Sequence, residues 1–185
     1  MADVVATSSD PALGAIRLAW WRERLEELDA GKDAPAEPRL QAVARALLPQ
    51  GVTGKELSEL EDAWLSLLQP FAWGEAQALG FRLRGRILFG IGARLLDGDP
   101  KDAETAGELW SLADGAQHCS DPASREFLLA EAREAALLVK APRALRPLTV
   151  VAALAAHDLG RGAGGARRVS AALAHRLRGT FPRQI

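Results

Sequence analysis

Ile16-Arg17-Leu18-Ala19-Trp20-Trp21-Arg22-Glu23-Arg24-Leu25-Glu26-Glu27-Leu28 is the stretch on which the fold turns. Extended back to Leu13, its apolar residues Leu13, Ile16, Trp20, Leu25 and Leu28 recur at a helical period. Asp10-Pro11 marks the start, because an aspartate accepts from free amides and proline suits the first helical position. Gly31 marks the end. The alignment predicts that Trp20 faces a core, where truncation to alanine would cost about 3–5 kcal/mol.

The same period continues outward along the chain. Residues 37–48 align Leu40, Val43, Ala44, Leu47 and Leu48, and Pro49 with Gly51 closes that helix. Thr53-Gly54-Lys55-Glu56 reads as a capping box opening a helix through Leu57, Leu60, Trp64, Leu67 and Leu68. A long helix over 71–96 carries Leu79, Leu83, Ile87, Leu88, Ile91 and Leu95, interrupted by Gly74, Gly80, Gly85, Gly90 and Gly92. Glycines inside a helix weaken it unless packing or a ligand needs the space. Further helices are expected over 102–117, 123–140, 148–159 and 166–178, with Asp121-Pro122 repeating the cap-plus-proline start. Residues 1–10 read as a flexible N-terminus and 160–165 as a glycine-rich linker before the last helix. No alternating strand pattern occurs, so the expectation is an all-α, single-domain bundle of about eight helices spanning 1–185.

Composition agrees with helix and narrows the class. The 185-residue chain has no tyrosine, a formal net charge of −1 and one cysteine, Cys119, which rules out an internal disulfide and suits a reducing compartment. Residues 1–10 lack a signal-peptide pattern, and the longest apolar run, 148–156, is too short to span a bilayer. The expected localisation is cytoplasmic, at most peripheral on the inner membrane. Charge is segregated: residues 140–185 hold nine basic side chains against Asp158 alone. Arg161, Arg167, Arg168, Arg176 and Arg178 gather around the last helix and predict weak association with an anionic surface. The arginines are not interleaved with stacking aromatics, which argues against nucleic acid.

Arg17-Leu18-Ala19-Trp20-Trp21-Arg22-Glu23-Arg24-Leu25 resembles the R-L-x-W-W-R-x-x-L stretch of the squalene/phytoene synthase family, in particular its non-catalytic branch similar to complex I assembly factors. The resemblance implies a truncated trans-prenyl synthase (terpenoid synthase) bundle around an apolar cavity. In active members two D-x-x-x-D-type motifs hold magnesium, which grips a diphosphate leaving group. The first motif would precede the tryptophan segment, where only Asp3 and Asp10 occur, neither with an acidic partner four residues away. The second would fall within 107–122, where Asp114, His118 and Asp121 stand instead. Their spacing suits one helix face, so they are remnant metal candidates, although a helix end followed by a capping aspartate is the favoured explanation of the same residues without metal. Trp20, Gly85 and Trp110 are the candidates for lining a ligand cavity.

His157 and His175 are too isolated to suggest a ligand set. Gly160-Arg161-Gly162-Ala163-Gly164-Gly165 lacks the lysine-serine pair and the preceding strand of a phosphate loop. The resemblance therefore implies a catalytically degenerate member without catalytic residues or cofactor, acting by binding an isoprenoid or lipid ligand or a respiratory-complex protein. One alternative is a head-to-head prenyl diphosphate transferase using magnesium. The other is a helical adaptor unrelated to isoprenoids.

Overall fold

The computed structural model describes residues 1–161 and 165–182, with the backbone alone at Arg161. The protein is all-α, with no strand among the described residues. The sequence reads as one domain, and the helices gather into two compact units, 1–70 and 71–185.

The first unit contains α1 (Ala2–Thr7), α2 (Pro11–Asp29), α3 (Pro38–Ala42), α4 (Gly54–Ser58) and α5 (Leu60–Leu65). Capping chemistry sets its breaks. Asp10 accepts from the amides of Ala12 and Leu13, Glu37 from Leu40, and Thr53 from Glu56. The carboxylate of Asp29, at the end of α2, takes the amides of Gly54 and Lys55 at 2.6 and 2.8 Å. That bond ties α4 to α2 across 25 residues of chain. Where a flexible N-terminus is expected, α1 forms instead. Val4 is buried, Asp3 pairs with Arg39 at 2.6 Å, and Arg17 reaches Ser8 at 3.2 Å.

The buried face of α2 differs from the expected one. Gly14, Leu18, Leu25 and Leu28 face inward, whereas Leu13, Ile16 and Trp20 are 59%, 66% and 40% exposed. Trp20 meets Trp21 edge-on at 5.4 Å rather than filling a core. The inner face is chosen by what packs there: a side chain at Gly54 would collide with the Leu25 carbonyl, and Leu68 closes over Gly14.

The second unit contains α6 (Glu75–Arg94), α7 (Lys101–His118), α8 (Pro122–Leu138), α9 (Arg146–Arg161) and α10 (Ala166–Arg178). Helix α7 is the hub, packing on α6, α8 and α9, while α10 packs on α9. The expected inward residues Leu109, Leu112, Ala113 and Ala116 are all buried. Small side chains let backbones approach, most closely at Gly85 and Gly107, where a Cβ on either would collide with the other's carbonyl. Gly160 and Arg161, expected as linker, complete α9. Residues 162–164 lie outside the described residues. Among the described residues, no helix is long and apolar enough to cross a membrane.

Candidate functional site

Polar chemistry in the second unit begins at Arg84, a buried arginine on α6. Its Nε donates to the Ser111 hydroxyl at 2.8 Å and its Nη2 to Asp114 Oδ2 at 2.6 Å. The guanidinium lies over the rings of Phe81 and Trp110, 5.3 and 5.0 Å from their centroids. Burial lowers its pKa from the ordinary arginine value, against the opposing effect of the Asp114 carboxylate. A paired, hydrogen-bonded and stacked guanidinium is the form in which a buried charge is tolerable. This cluster pins α6 to α7.

Two of the three remnant metal candidates serve in packing. Asp114 is held by Arg84, and Asp121 caps α8 by accepting from the amide and hydroxyl of Ser124 at 2.8 and 2.6 Å. Those bonds hold the Asp121 carboxyl below its ordinary pKa. His118 is exposed, and its Nδ1 lies 2.8 Å from the Asp114 carbonyl. Among the described residues no three His, Cys, Asp or Glu side chains come together in a way that could hold a metal ion.

The cavity candidates separate. Gly85 fits the helix crossing at Gly107, so the missing side chain accommodates backbone and not a ligand. Trp20, in the other unit, is half exposed. Trp110 packs on Phe89 at 5.7 Å and lines a cavity of about 160 Å³ with Asp114, Gln117, Asp158 and Arg168.

Helix α10 is where the structure departs furthest from a simple amphipathic rule. Val169, Leu173 and Leu177, spaced four apart, are 63%, 57% and 73% exposed. The helix docks by its other flank, through polar bonds. His175 is fully buried: its Nδ1 donates to the Thr180 carbonyl at 3.1 Å, and its Nε2 meets the Thr149 hydroxyl at 2.9 Å. The ring also meets Phe181 edge-on at 4.8 Å. Arg146 Nη1 donates to the Leu177 carbonyl at 2.7 Å, satisfying a free carbonyl of the last turn. Gly179, at φ 71°, ends the helix in the left-handed conformation that favours glycine. Arg167, Arg168, Arg176 and Arg178 are exposed; Arg168 alone has an ion-pair partner among the described residues, Asp158 at 3.2 Å. The side chain of Arg161 lies outside the described residues.

Sequence reasoning set His157 aside as isolated and did not pair it with Asp158. Both are buried on α9, with His157 Nδ1 3.2 Å from Asp158 Oδ1. A carboxylate can only accept, so Nδ1 carries a proton, and in the tautomer this leaves for a neutral ring the lone pair is on Nε2. That nitrogen is buried and has no hydrogen-bond partner among the described residues. The ring lines a cavity of about 460 Å³ with Arg167, Ser170, Thr180 and Phe181. The adjacent His-Asp pair on an otherwise apolar helix was the only local signal, since the rest of the lining comes from chain beyond α9.

No protein-family model matches the sequence, and no curated protein or solved structure matches it.

Proposed function

We propose that this protein is a non-catalytic helical binding protein that docks reversibly on anionic membrane surfaces through α10. The supporting observation is the outward stripe of Val169, Leu173 and Leu177 on a helix that carries four arginines and no acidic residue. An interfacial helix combines these elements: aliphatics that enter the headgroup boundary beside cations that meet anionic lipid. Each aliphatic side chain stabilises the docked state by about 1–2 kcal/mol, and each arginine near the surface adds about 1 kcal/mol. Ordering and desolvation offset much of that sum, so binding is weak and reversible. A second copy of the chain is a poorer occupant, because pairing two α10 helices along this stripe sets four arginines against four.

The squalene/phytoene synthase resemblance fits within this reading as a degenerate member acting at the inner membrane, on an isoprenoid or lipid ligand or a respiratory-complex partner. It is supported by the Arg17–Leu25 pattern and by the structural engagement of Asp114 and Asp121.

Co-sedimentation with vesicles tests the membrane reading. Binding is expected to vesicles containing phosphatidylglycerol, to weaken with salt, and to be lost in Leu173→Glu, a substitution at an exposed site. Equal sedimentation with phosphatidylcholine vesicles, or binding insensitive to salt, would overturn it.

A further inference from the structure

The cavity flanking α10 has two unlike walls. Ala171, Ala174, Phe181 and Pro182 form an apolar one. His157, Arg167, Ser170 and Thr180 form a polar one. His157 is only 4% exposed, yet its Nε2 has no hydrogen-bond partner among the described residues. A buried ring nitrogen left unpaired costs free energy that a ligand can recover. Its other nitrogen is fixed against Asp158, and Arg168 lies on that carboxylate's second oxygen at 3.2 Å. The imidazole is therefore oriented by Asp158 before any ligand arrives. Arg167, with no ion-pair partner among the described residues, brings a positive charge. Ser170 donates to the Ala166 carbonyl and retains lone pairs.

We propose that this cavity binds a phosphate monoester carried on an apolar tail. The phosphate accepts from Arg167 and shares one proton with His157 Nε2, while the tail lies against Phe181, Pro182 and the alanines. A phosphate monoanion carries a hydroxyl that donates to the Nε2 lone pair while its other oxygens accept from Arg167. A carboxylate has no such proton to give, which makes it the poorer match. The volume lies within the range of small-molecule sites. The same chemistry is presented by a free alkyl phosphate and by the headgroup of phosphatidic acid. The lipid source alone rests on the membrane reading of α10.

The test follows the imidazole nitrogens by NMR while octyl phosphate is titrated into the intact protein, with octanoate and inorganic phosphate in parallel. Octyl phosphate is expected to shift the His157 resonances and leave those of His118, which does not line the cavity, unmoved. Arg167→Gln, an exposed substitution, is expected to weaken binding about tenfold, the loss of one charge-assisted hydrogen bond. No His157 response at millimolar octyl phosphate would overturn the site, and equal binding of octanoate would overturn the phosphate assignment. Phosphatidic-acid vesicles then separate the sources. Weaker sedimentation of His157→Gln, which removes no surface arginine, identifies the lipid headgroup. Unchanged sedimentation of His157→Gln, with octyl phosphate still bound by the wild type, identifies a soluble phosphate. Leu173→Glu is expected to abolish vesicle binding and leave octyl phosphate binding intact, so failure of the membrane reading does not masquerade as failure of the cavity.

Discussion

His175 shows how one side chain makes a packing contact depend on pH. Burial lowers its pKa from the usual imidazole value, opposed by the bond to the Thr180 carbonyl and assisted by the nearby charge of Arg146. Because the folded state resists protonation, the unfolded chain binds the proton first as pH falls. Stability is therefore full above the unfolded value of 6.5 and declines as pH drops toward the lower folded value. Melting temperature is expected to fall with acidification more steeply in the wild type than in His175→Gln; parallel slopes would show that this ring is not the cause. A second prediction at this scale concerns α2. Leu18, fully buried, should cost about 2–5 kcal/mol on truncation to alanine. Ile16→Ala, at an exposed site, should change stability by less than about 0.5 kcal/mol. Chemical denaturation of the two variants checks the face, and equal losses would restore the inward alignment of Ile16 and Trp20.

Among the elements, α6 and α7 separate two uses of helical glycine. At Gly107 a Cβ would meet the Gly85 carbonyl of the facing helix, so Gly107→Ala forces the helices apart. Overpacking of this kind costs about 1–3 kcal/mol, outweighing the gain of about 1 kcal/mol in helix propensity. Gly90 differs: the nearest atom to a Cβ there is Pro100 Cβ at 3.6 Å, ordinary contact. Gly90→Ala is accordingly expected to stabilise by up to about 1 kcal/mol. Urea midpoints moving in opposite directions for the two variants would confirm the distinction; shifts of the same sign would refute it. Helix α10 follows a third rule. Its docked flank is polar, through His175 with Thr149 and Arg168 with Asp158, which leaves the aliphatic stripe unpartnered.

Over the whole molecule, the formal charge of −1 conceals an acidic majority before residue 140 and a basic end after it. The vesicle prediction belongs here, because its salt dependence arises from that separation. Exposed arginines act over a Debye length of about 10 Å at 0.1 M salt and are screened beyond it. Concentrated salt should therefore remove the anionic-lipid preference while leaving the contribution of the three aliphatics. The two units divide the candidate chemistry unequally. Arg84, the His157-Asp158 pair and α10 all lie in 71–185, while the tryptophan segment on which the family resemblance rests lies in 1–70.

Helix content, and the positions of most helices, could be read from the chain because a cap, a proline start and a 3.6-residue period are local. Asp10-Pro11 and Asp121-Pro122 start helices in the structure as their chemistry requires. The faces could not be read in the same way, since a helix buries whichever side its neighbours cover. In α2 the Leu18 line is covered and the Trp20 line is not; in α10 a buried histidine outcompetes three aliphatics for the inner flank. Sites were least legible of all. Asp114 reads as a metal remnant until Arg84, 30 residues away, takes its carboxylate. His157 reads as isolated until chain from α10 and beyond brings Arg167, Ser170 and Thr180 to the same cavity. Sequence spacing sets what a helix can present, and only tertiary packing decides which of those groups meet.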